Sequence, residues 1–137
     1  MKKIKMYLCC VLCVLMLFGC SKKDDSKRVV GSNEEIAISL INDIIENDYN
    51  DFNQKYCFTG NVAETVRTGR FESVLKPYFD NFGDFEGQEK DYVEETGQFT
   101  YIYFPMHFKN EDINIIVTMN QNQEVVDINF DSYNESN

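Results

Sequence analysis

The sequence predicts an α+β domain in which N-terminal helices pack on one face of a curved antiparallel sheet of about four strands. Three observations predict it. Apolar residues recur at three- and four-residue intervals in the first half of the domain, as on one stripe of a helix. They alternate with a period of two in three consecutive runs of the final third, as on one face of a sheet. A sheet with one strongly apolar face needs a cover, and the amphipathic helices are the only segments able to supply it.

The first helix starts at Ser32, which with Glu35 has capping-box spacing, and carries Ile36, Ala37, Leu40, Ile41, Ile44 and Ile45 to an end near Asp48. A short second helix is expected after Asn50, carrying Phe52, Tyr56 and Phe58, with Thr59-Gly60-Asn61 as the break behind it. Residues 62–82 read as a third helical region in two pieces around Thr68-Gly69. Phe71, Val74, Leu75, Tyr78 and Phe82 are expected inward, Gly83 is the stop, and Pro77 should kink the helix or mark its last turn.

A strand at residues 85–94 alternates poorly and carries acids on both faces, which places it at an edge, bulged. The three regular strands present Ile102, Phe104, Met106 and Phe108, then Ile113, Ile115 and Val117, then Val126, Ile128 and Phe130. With Asn110-Glu111 and Gln121-Asn122 as two-residue loops, Phe108 would pair with Ile113 and Val117 with Val126, putting all three apolar sets on one side.

Before this domain the chain begins Met-Lys-Lys-Ile-Lys and continues through an uncharged stretch at residues 6–19, a basic n-region and an apolar h-region. As a helix that stretch would span about 21 Å against a hydrocarbon core of about 30 Å, so it reads as an export signal that is removed. Leu17-Phe18-Gly19-Cys20 at its end resembles the lipobox of bacterial lipoproteins, in which the thiol receives a diacylglyceryl group and the peptide is cut before it. The resemblance implies a signal peptide over 1–19, a lipidated Cys20, and a protein held on the extracytoplasmic side of the cell membrane.

Residues 20–31 then form the lipidated cysteine and a polar tether, 32–132 one α+β domain, and 133–137 a polar tail. Cys9, Cys10 and Cys13 leave with the signal peptide and Cys20 carries lipid, so Cys57 is the last thiol and the domain stands without an intrachain disulfide. Beside Tyr56 and Phe58 it reads as a small buried apolar residue, with only Lys55 as a close basic neighbour.

The full chain holds 23 acidic and 13 basic residues, a net charge of −10. From Ser32 onward only Lys55, Arg67, Arg70, Lys76, Lys90 and Lys109 are basic. Phosphate backbones are bound by clustered Lys and Arg, so nucleic acid is excluded as a partner.

Helices followed by strands, with Asn47-Asp48-Tyr49-Asn50-Asp51-Phe52 after the first helix and Phe79-Asp80-Asn81-Phe82-Gly83-Asp84-Phe85 before the sheet, resemble the family of domain of unknown function 3887. That family occurs in Gram-positive lipoproteins and secreted proteins. The likeness implies the cone-shaped fold of the nuclear-transport-factor-2-like, SnoaL-like and cystatin-like proteins, often dimeric, with a cavity put to different uses.

Chemistry-bearing residues are few. His107 is the one histidine, expected on the polar side of its strand, opposite Asn114 and near Lys109. Zinc wants four Cys or His ligands and the domain offers two such residues, so no metal or other cofactor is expected. Asp127, Asn129 and Asp131 have the spacing that opens a calcium loop, yet Ile128 and Phe130 between them belong to the core face and no turn glycine follows.

On the far side of the sheet Tyr101, Tyr103, Pro105 and Ile116 gather, either an apolar patch of the kind that marks partner surfaces or tyrosines placed there because they suit strands. The sequence therefore reads as a non-catalytic, membrane-anchored module that uses its sheet face or cone cavity to bind a second copy, another protein or a small apolar ligand. The alternative is a small SnoaL-like enzyme or hydrolase-associated domain using His107 with Asp112 or Asp127.

Overall fold

The computed structural model describes residues 27–132. Residues 1–26, where the signal peptide, Cys20 and most of the tether are expected, and the tail at 133–137 lie outside the described residues. Four helices, α1 (Asn33–Ile45), α2 (Phe52–Lys55), α3 (Gly60–Arg67) and α4 (Phe71–Phe82), precede five strands, β1 (Phe85–Gln88), β2 (Tyr92–Thr96), β3 (Phe99–Phe108), β4 (Asp112–Asn120) and β5 (Val125–Ser132). The fold is α+β with an open antiparallel sheet in which β1 and β2 both pair with β3, followed by β4 and β5.

The capping box forms as its spacing requires: Ser32 Oγ accepts from the Glu35 amide, and Glu35 Oε2 accepts from the Ser32 amide at 2.8 Å. Ile36, Ala37, Leu40, Ile41 and Ile44 are buried. The helix ends at Ile45, three residues short of the expected stop. Asn47 turns left-handed there (φ 56°), and the Asp48 amide bonds back to the Asp43 carbonyl.

α2 is a single turn. Tyr56 is already extended, and Phe58 forms a parallel bridge with Val125, so neither belongs to a helix as expected. Tyr56 is buried, and its hydroxyl donates to Asp43 Oδ2 (2.6 Å) and shares a hydrogen bond with Ser39 (3.0 Å), tying this turn to α1.

The break at Thr68-Gly69 separates α3 from α4, as the sequence indicates. Phe71, Leu75 and Phe82 point inward, but Val74 and Tyr78 are half exposed and Phe79 takes the inner position beside Phe82 and Phe108. The stripe follows the positions i, i+4, i+8 and i+11 and leaves Val74 and Tyr78 on its flank. Pro77 stands inside the 12-residue helix and does not mark its last turn.

The apolar faces of the strands are as read, but both hairpin registers are displaced by two residues. Met106 pairs with Ile113 and His107 with Asp112, leaving Lys109-Asn110 as the loop. Val117 pairs with Ile128 across a three-residue turn at 121–123, with Gln123 left-handed (φ 60°). An irregularity beside Met119 turns Val125 fully inward and Val126 only halfway, so Val125 takes the core place expected of Val126.

The expected edge strand is two strands, β1 and β2, and β1 carries the bulge between Phe85 and Gly87. Ile102, Phe104, Met106, Ile115, Val117 and Met119 join the inward residues of α1 and α4 in one hydrophobic core. Residues 27–31, read from sequence as tether, lie against the domain: Val29 packs on the core, its amide bonds the Lys55 carbonyl, and Lys27 pairs with Asp51 at 2.9 Å.

Candidate functional site

β3 is strictly alternating, so its even residues from Ile102 to Phe108 fill the core while Phe99, Tyr101, Tyr103 and His107 stand on the other face. The cross-strand pairs Tyr101 with Thr118 and Tyr103 with Ile116 bring the three sequence-selected residues Tyr101, Tyr103 and Ile116 side by side, all half-buried. Pro105 lies on this face too, but buried.

A fourth aromatic joins them. Tyr92 of β2 sits opposite Tyr103, and the two rings stack at 4.6 Å between centroids with 3° between planes. The Tyr103 hydroxyl donates to Glu94 (3.1 Å), and burial, then this carboxylate, raises its pKa. The sequence reading missed Tyr92 because β2 has no apolar alternation. The available signal was the tight Gly97-Gln98 turn, with Gly97 at φ 60°, which fixes Thr96 opposite Phe99 and hence Tyr92 opposite Tyr103.

Around this aromatic centre the strand positions carry carboxylates and amides, Glu94 on β2, Asp112 and Asn114 on β4, and Asp127, Asn129 and Asp131 on β5, with no Lys or Arg among them. Asn114 Oδ1 is buried without a hydrogen-bond partner. The face is apolar at its centre and acidic at its rim.

His107 lies at one end of the same face. The two-residue change of register puts it opposite Asp112 and leaves Asn114 to Pro105, contrary to the expected pairing. Its Nδ1 is 2.8 Å from Asp112 Oδ1 and its Nε2 is 3.5 Å from Glu89 Oε1. The hydrogen bond to Asp112 is the main cause of a raised imidazole pKa. Asp127 pairs with Thr118, six residues along β4 from Asp112, about 20 Å at strand rise, so only one of the two expected carboxylates reaches the histidine.

Cys57 is half-buried, and its backbone carbonyl accepts from the Val125 amide. Its sulfur is contacted by the guanidinium of Arg28, a basic neighbour 29 residues away that local sequence does not reveal. Among the described residues no group of three or more His, Cys, Asp or Glu side chains is placed to hold a metal ion.

Residues 37–128, two thirds of the chain, match the family described as protein of unknown function (DUF3887). The chain belongs to this family. The matched span runs from the first buried turn of α1 to Ile128 in β5, and so takes in the whole aromatic centre of the sheet face. Neither the curated proteins nor the solved structures yield a match.

Proposed function

We propose that this member of the family is an extracytoplasmic lipoprotein, anchored in the cell membrane through diacylglyceryl-Cys20, whose domain is a non-catalytic binding module for a protein partner. The signal-like residues 1–19 and the lipobox resemblance support the anchor. The sheet face away from the core supports the binding role: the stacked Tyr92 and Tyr103 with Tyr101 and Ile116 form an aromatic centre in which, among the described residues, Tyr92 is exposed and the other three are half-buried. Tyrosines with a polar tip and a rigid apolar body are characteristic anchors of protein interfaces. The acidic rim selects a partner whose matching surface is basic around an apolar centre.

Intact mass spectrometry of the membrane-extracted protein tests the anchor, with residue 20 expected at the N-terminus bearing lipid. A photoreactive side chain at Tyr101, compared in living cells with one at Ser73 on the outer side of α4, tests the face. Adducts are expected from position 101 alone; equal yield from both positions, or none from either, refutes the reading. An adduct of twice the chain's mass identifies the partner as a second copy.

The ion pair His107–Asp112 favours a second reading, acid catalysis by a small enzyme of the SnoaL-like kind. It is the weaker one, because both imidazole nitrogens face carboxylates and His107 lines neither the cleft at the ends of α1 and α4 nor the one beside α2. Unchanged phenotype in His107→Ala removes it.

A further inference from the structure

At the end of the domain where α1 and α4 both terminate, a cleft of about 520 Å³ opens between Ile45, Tyr49, Phe79, Phe85 and Phe108. That volume lies within the range of small-molecule sites, about 300–1,000 Å³. One wall is aromatic. Phe79 and Phe85 both meet Phe108 edge-on, at 5.8 and 5.7 Å, and Phe85 remains 43% exposed at the mouth, an apolar ring the protein's own packing leaves uncovered.

The rest of the lining is electronegative. Glu72, Asp80 and Asp84 bring three carboxylates, and Lys76, the cation among the lining residues, already bonds both oxygens of Asp80 at 3.0 Å. Among the described residues Glu72 and Asp84 have no ion-pair partner. The last turns of α1 and α4 both reach the cleft and neither contains a basic residue, so two helix C-terminal ends bring partial negative charge to it, the α4 end being partly capped by the Asn110 amide and side chain.

We propose that this cleft binds an organic ammonium ion, an amine carried on an apolar or aromatic body. The aromatic wall receives the body and attracts a cation over its ring faces, while the carboxylates and helix ends attract the charge. An anionic ligand would meet three carboxylates. A bare metal ion would leave the aromatic wall unused and finds no ligand cluster of three among the described residues. The cleft shares no residue with the tyrosine face of the sheet, so the two sites stand or fall separately.

The test uses the full chain in detergent with three isosteric probes, benzylammonium, benzyl alcohol and benzoate, followed by NMR shifts of the Ile45, Tyr49 and Gly83 amides. Benzylammonium is expected to bind about tenfold more tightly than benzyl alcohol, with benzoate weaker still, and to weaken as salt is raised. Glu72→Gln combined with Asp84→Asn should reduce benzylammonium affinity about fivefold, with the thermal midpoint as a check on folding. Equal binding of the ammonium and the alcohol, shifts confined to the sheet face, or full affinity in the double variant each overturn the proposal.

Discussion

Replacing Gly83 with alanine should destabilise the domain by about 2–4 kcal/mol, and the geometry fixes why. Gly83 ends α4 at φ 81°, ψ −164°, a region essentially restricted to glycine, where another residue incurs about 1–3 kcal/mol of backbone strain. A Cβ added there would lie 2.9 Å from Asn110 Nδ2 and 3.2 Å from Lys109 Cβ. It would push on the β3–β4 loop where that loop caps the helix: the Asn110 amide donates to the Phe82 carbonyl (2.9 Å), the Lys109 amide to Asp84 (2.8 Å), and Asn110 Nδ2 to Asn81 (3.0 Å). Loss of the Asn110 side-chain bond adds about 0.5–1.5 kcal/mol. Urea unfolding followed by circular dichroism measures the sum, and a thermal midpoint should fall by about 4–8 °C per kcal/mol. Gly97→Ala is the comparison. Its φ of 60° is also left-handed, but nothing lies within 4 Å, so only about 1–2 kcal/mol is expected. A Gly83→Ala protein within about 0.5 kcal/mol of the parent, or one less affected than Gly97→Ala, refutes the reasoning.

Tyr56→Phe should cost about 1–2 kcal/mol in the same assay, since the lost hydroxyl bonds both Asp43 and Ser39 from a buried position; no loss would show the network to be incidental. Burial and then the Asp43 hydrogen bond raise the Tyr56 phenol well above its ordinary pKa, so its stabilisation is present below about pH 10 and declines above it. The His107 imidazole, raised chiefly by Asp112, should titrate by NMR with a midpoint above 6.5. Its contribution to stability is full below 6.5 and is lost as pH rises through the folded-state midpoint. Asp112→Asn should lower that midpoint, and an unmoved titration sinks the assignment.

The helical stripes, the capping box and the apolar strand faces were legible because each is a repeat within a few residues of itself. Val74 and Tyr78 were misplaced at the margin of such a stripe, where one turn of helix does not say which flank the sheet will cover. Tyr101, Tyr103 and Ile116 were found on one face from period two alone. Tyr92 was not, since β2 is exposed along its length and carries no pattern. The His107–Asp112 contact was visible as two residue types, but the pairing drawn from sequence set Asn114 opposite the histidine.

By itself the sequence determined that the first helix starts at Ser32, that the chain breaks at Thr68-Gly69, and which side of β3 and β4 is apolar, whereas Gly60-Asn61, expected as a break, are the first residues of α3. Tertiary structure alone decided the hairpin registers, the inward turn of Val125, the Tyr92–Tyr103 stack and the approach of Arg28 to Cys57. The reason is that a slip of two residues returns every side chain to the same face and leaves the pattern unchanged. Contacts made across the fold distinguish one slip from another: the β3–β4 loop bonds Phe82 and Asp84, and the start of β5 bonds Cys57 and Thr59.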